Sequence, residues 1–97
     1  MKDLESIKSI LKSNIPKFQD EYKVDHLKLF GSYLNNTATE NSDLDILVSF
    51  SDTIDLIHFI KLQNYLSDLL NIKVDLVMEN ALKSRIKNSI LQQAELI

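Results

Sequence analysis

Leu27-Lys28-Leu29-Phe30-Gly31-Ser32, followed after the ten residues Tyr33 to Ser42 by Asp43-Leu44-Asp45, is the stretch that decides how this chain folds. The apolar run ends at the one glycine of the sequence, which predicts a strand over Lys28 to Gly31 entering a turn. Asp43 to Phe50 then alternates with a period of two. Leu44, Ile46, Val48 and Phe50 point one way, and Asp43, Asp45, Leu47 and Ser49 point the other. Ile72 to Met78 repeats the pattern, with Ile72, Val74, Leu76 and Met78 on one side and Lys73, Asp75 and Val77 opposite.

Helical spacing surrounds these strands. Leu4, Ile7, Ile10 and Leu11 predict a first helix that stops near Asn14, because Pro16 restricts Ile15 and cannot continue the hydrogen-bond ladder. Leu56, Phe59, Ile60, Gln63, Leu66 and Leu70 trace a second, with Asp52 or Thr53 as its cap and Asn71 as a left-handed stop. Leu82, Ile86, Ile90 and Ala94 mark a third that runs nearly to the C-terminus. The predicted order is helix, strand, short connector, strand, helix, strand, helix. That is an α/β (α+β) fold: a small mixed sheet with helices packed on one face and the other face left open for chemistry. No repeat, linker or low-complexity tract interrupts it, so residues 1–97 read as one domain.

The bulk numbers narrow the function classes. A hydrophobic content of 44% with 26% charged residues is that of a globular protein rather than a disordered one. No apolar stretch approaches the roughly 18–20 residues of a membrane helix, and Met1 to Glu5 mixes charge with apolar residues unlike a signal peptide. The absence of cysteine removes disulfides and thiolate metal sites and fits a cytoplasmic setting. A net charge of −3, with Arg85 the single arginine, argues against a nucleic-acid polymer as partner.

The acids carry the chemistry. Residues two apart on a strand share a face about 6.5–7 Å apart. Side chains at that separation can lean together and bridge two divalent ions about 3.5–4 Å apart. Asp75, on a neighbouring strand, would complete the shell. Three carboxylates among Val, Ile and Leu are costly without an ion, and at least one should have a raised pKa. The Gly31-Ser32 turn offers a hydroxyl and backbone N–H groups to a triphosphate. An Asp-x-Asp alone is more often a solvated strand edge; the Gly-Ser turn at its ten-residue spacing, together with Asp75, reverses that balance. An EF-hand is disfavoured because Leu47 stands where an oxygen ligand belongs, and a P-loop is excluded by the lack of Gly-Lys-Ser/Thr.

Gly31-Ser32, Asp43-x-Asp45 and the later Asp75 resemble the polymerase-beta-type nucleotidyltransferases. Within them the chain is most similar to the minimal nucleotidyltransferases, the antitoxin halves of HEPN/MNT toxin–antitoxin pairs. The likeness runs from about Leu29 to the C-terminus, including Lys73-Val74-Asp75-Leu76-Val77 and the helix start at Ala81-Leu82-Lys83. It implies AMP transfer from ATP, with two Mg²⁺ ions, onto a tyrosine of a partner HEPN ribonuclease, which silences it. It also implies that Ser32 holds a phosphate, that Asp43 and Asp45 bind both ions, and that Asp75 completes the catalytic ion's shell and helps deprotonate the acceptor. Many relatives follow Gly-Ser with arginines and a second glycine; here Tyr33-Leu34-Asn35-Asn36 stands instead, and Lys73 and Arg85, candidates to replace that charge, read more simply as ordinary solvated side chains. Larger members carry an acceptor-holding domain for which 97 residues leave no room, so the expected acceptor lies on another protein. Two further readings stay open: an antitoxin that neutralises by binding alone, and a small-molecule adenylyltransferase. His26 and His58 receive no role, and Tyr22, Tyr33 and Tyr65 read as surface or core aromatics rather than as acceptors for self-modification.

Overall fold

The computed structural model describes residues 3–31 and 43–97, without the side chains of residues 84–86. Helix α1 (Leu4–Ser13) starts on Asp3, whose carboxylate accepts the Ser6 N–H at 2.8 Å, and ends at Asn14. A second helix follows at once. Pro16, expected only to stop α1, occupies the first turn of α2 (Ile15–Tyr22), where its missing N–H has no ladder partner to lose. Lys23 terminates α2 in the left-handed region at φ 57°.

Strand β1 (Val24–Phe30) begins earlier than the apolar run suggests. A bulge between Val24 and His26 interrupts its alternation and hides the first residues from a period-two reading. Beyond it lie β2 (Leu44–Phe50), α3 (Leu56–Leu70), β3 (Val74–Met78), a 3₁₀ turn (Glu79–Ala81), α4 (Ser84–Gln93) and a two-residue β4 (Glu95–Leu96). Asp55, rather than Asp52 or Thr53, caps α3 by accepting the His58 N–H at 2.7 Å, and Asn71 ends it at φ 54° as expected. Leu82 and Ala94 fall just outside α4.

The sheet is mixed, ordered β3-β2-β1-β4, with β1 antiparallel to both neighbours and β2 parallel to β3. Its inner face contributes Leu27, Leu29, Leu44, Ile46, Val48, Val74 and Leu76 to the core. Ile7 and Leu11 of α1, Phe18 of α2, and Leu62, Leu66 and Leu70 of α3 cover that face. At about 25 cal/mol per Å² of apolar area removed from water, this contiguous layer supplies the main folding drive. Every acid of the motif is thereby left on the opposite face.

Candidate active site

Strand register builds the site row by row on the outer face. Phe30 pairs with Asp45, and Asp45 pairs with Asp75, so the two carboxylates come from directly neighbouring residues. Asp43 immediately precedes β2, two residues from Asp45 and therefore on the same side. Leu44 N–H donates to the Lys73 carbonyl at 2.8 Å, which fixes the entrance of β2 against the approach to β3.

The acids sense one another. Burial pushes the Asp45 carboxyl up, and the charges of Asp75 and Asp43 push it further in the same direction. Asp75 is exposed, whereas Asp43 is half-buried, with Lys73 Nζ 3.9 Å from its Oδ2. Among the described residues no three acidic or imidazole side chains converge on one point; the acids are apposed on one face rather than gathered into a cage.

Gly31 ends β1 directly against this row. Its φ of 85° lies where side chains are strained, and a Cβ there would run into Asp45 Oδ2 and stand 3.1 Å from its Cγ. The glycine is thus required twice, for the turn and for the carboxylate beside it. Ser32, the proposed phosphate contact, lies outside the described residues, as do Tyr33 and the side chain of Arg85.

Beyond the acids the outer face is partly covered. Leu47, one row further along, is fully buried although it points to the same side as Asp45. The 3₁₀ turn packs against β2 there. Glu79 reaches across to β1, pairing Oε2 with His26 Nε2 at 2.8 Å and Oε1 with Lys28 Nζ at 3.4 Å. Burial pushes the Glu79 carboxyl up, but the His26 hydrogen bond and the Lys28 charge together outweigh it and hold it below its ordinary value. His26, given no role from sequence, is one half of this clasp. Its partner is 53 residues away, and no local pattern announces it. His58 likewise finds a structural post, bonding the Tyr22 carbonyl at the end of α2 through Nε2 at 2.9 Å. Tyr22 and Tyr65 stack with ring centroids 5.4 Å apart, as packing aromatics.

A separate groove of about 490 Å³ at the far end of β2 is lined by Phe50, Ser51, Asp52, Thr53, Ile54 and Met78 among others, and contains none of the three acids. No helix among the described residues is long and apolar enough to cross a membrane.

Known proteins share this fold. The family described as "Polymerase beta, Nucleotidyltransferase" matches residues 5–97. A Methanocaldococcus jannaschii protein, provisionally named a protein adenylyltransferase, is 50% identical over 91 residues, covering 93% of each chain. The protein adenylyltransferase MntA of Thermococcus cleftensis is 42% identical over 93 residues, covering 96% of this chain and 94% of its own. Among solved structures, one of tri-AMPylated Shewanella oneidensis HEPN toxin in complex with MNT antitoxin superposes with a TM-score of 0.60 at 29% identity. The match covers 95% of this chain and 66% of that one. Matched from residue 5 to residue 97, the chain belongs to the polymerase beta nucleotidyltransferase family.

Proposed function

We propose that this chain is an antitoxin-type protein adenylyltransferase that moves AMP from ATP to a tyrosine hydroxyl of a HEPN ribonuclease toxin. The observation that carries the proposal is the Phe30–Asp45–Asp75 row with Gly31 pressed against the Asp45 carboxylate. A tyrosine oxygen attacks the α-phosphorus, the bond to the bridging oxygen of the β-phosphate breaks, and pyrophosphate leaves. Asp75 lies at the edge of the acid row, where it can accept the hydroxyl proton as the new P–O bond forms. Ser32 would bond a phosphate oxygen. Hard carboxylate oxygens suit Mg²⁺: Asp43 and Asp45 would hold two ions and Asp75 would join at one, and when bound they offset triphosphate charge and polarise the α-phosphate. The setting would be cytoplasmic, where ATP and a cysteine-free chain are both at home.

One observation favours a second reading, neutralisation by binding alone: the segment after Gly31-Ser32 carries Tyr33-Leu34-Asn35-Asn36 instead of arginines, so less positive charge meets the triphosphate. The deciding experiment follows the partner's ribonuclease activity after incubation with this chain, with and without Mg²⁺-ATP. Transfer predicts that silencing requires Mg²⁺-ATP and survives removal of the chain. Silencing that is independent of ATP and reversed by separation supports the binder.

A further inference from the structure

Asp75 sits on the outermost strand of the sheet. One side of β3 is laddered to β2, but among the described residues its outer edge has no strand neighbour. Free edge N–H groups leave a strand able to shift or to pair with another chain. Here two of them are taken up by side chains of α3. Ser67 Oγ accepts the Val74 N–H at 3.1 Å, and Gln63 Oε1 accepts the Leu76 N–H at 3.1 Å. These amides bracket Asp75 on either side.

The spacing explains why the match is possible. Residues four apart on a helix rise about 6 Å, and alternate residues of a strand advance about 6.6 Å. A helix lying along the edge can therefore meet both amides with one face, provided acceptors stand at i and i+4. Leu62, Leu66 and Leu70 bury the neighbouring stripe of α3 in the core, which holds Gln63 and Ser67 at the strand. The Ser67 carbonyl also accepts the Asn71 and Ile72 N–H groups, tying the end of α3 to the start of β3. Gln63 occupies a position in the helical stripe where an apolar residue would serve packing alone.

We propose that Gln63 and Ser67 are positioning residues that hold the backbone of Asp75 at the height of Asp45. The proposal rests on the transferase reading for its consequence but not for its geometry. Neither side chain reaches the reacting atoms; both act through the β3 amides. Supports of this kind typically change metal affinity or activity by about 10- to 100-fold when removed.

The test compares Gln63→Met with Ser67→Ala, the two combined, and Gln63→Glu, which keeps the length and the accepting oxygen. Each full chain is measured with the HEPN partner for AMP transfer against Mg²⁺ concentration, and alone for Mn²⁺ affinity by calorimetry. The combined variant should transfer about tenfold or more slowly, need more Mg²⁺, bind Mn²⁺ correspondingly weaker, and exchange the Val74 and Leu76 amides faster. Gln63→Glu should restore most of the loss seen in Gln63→Met. Wild-type rates and Mn²⁺ affinity in the combined variant, below its melting temperature, would overturn the proposal, as would equal losses in Gln63→Glu and Gln63→Met. A wild type that transfers nothing yet binds Mn²⁺ counts against the transferase reading alone, and Mn²⁺ affinity then decides the positioning role. A wild type that binds no Mn²⁺ overturns both.

Discussion

Gly31 and Asp45 meet at the point where geometry and charge are most constrained. Gly31→Ala imposes a left-handed alanine, which costs about 1–2 kcal/mol, and forces the new methyl against the Asp45 carboxylate. Each kcal/mol lowers the melting temperature of a domain this size by about 4–8 °C. The expected outcome is a fall of that order in a thermal scan, and a loss of transfer larger than unfolding accounts for, since Asp45 must move. Asp45 itself is held at a disadvantage. Its raised pKa means that the folded state takes up a proton more readily than the unfolded chain, whose ordinary value is 3.8. Stability therefore falls as pH rises through the folded value, and the penalty stays in full at neutral pH. Asp45→Asn should melt higher than wild type at pH 7 while losing transfer. That gain should disappear once the pH drops below 3.8, where both states of the acid are protonated. A variant that melts lower at pH 7 would contradict the electrostatic account.

At the scale of elements, the edge strand β3 is anchored from two directions. Its outer amides are met by α3, and its C-terminal end is tied across β2 to β1 by the Glu79 clasp. Glu79 has the opposite sign of linkage to Asp45. Its folded pKa is lowered, so it contributes stability above its ordinary value of 4.5 and loses it as pH falls through the folded value. Glu79→Gln should therefore lower the melting temperature at pH 7, and the difference from wild type should shrink toward zero in strong acid. A difference that is constant with pH would mean the clasp works by packing rather than charge. The cap of α3 is a simpler case: Asp55→Ala removes the acceptor for the His58 N–H and should cost about 1 kcal/mol by denaturant titration, without altering chemistry.

For the whole molecule, the parts that were legible from sequence are those with local causes. The alternation of Leu44, Ile46 and Val48 announced β2, Asn71 announced the end of α3, and both are as expected. The same alternation placed Asp43, Asp45 and Asp75 on the face away from the helices. What escaped has non-local causes. Helix α2 is short and buries only Phe18, so its apolar stripe is too sparse to read, and Pro16 serves equally as a stop and a start. The β1 bulge conceals the start of that strand, and β4 exists only because β1 offers an edge at Lys28 and Leu29. The closure of the outer face by Glu79 depends on His26 and Lys28, residues far away in sequence and unremarkable by themselves.

The central claim is that these acids transfer AMP rather than merely decorate a binding surface. The direct measurement is intact mass of the candidate HEPN partner after incubation with Mg²⁺-ATP and either wild type or Asp75→Asn. Asparagine is nearly isosteric, and the Val74 and Leu76 side chains that hold β3 in the core are untouched. The account predicts AMP additions on the partner with wild type, a rate lower by several orders of magnitude with Asp75→Asn, and equal docking of both proteins. A partner that gains no AMP from wild type, yet is still silenced by it, would contradict the claim and leave a binding protein in its place.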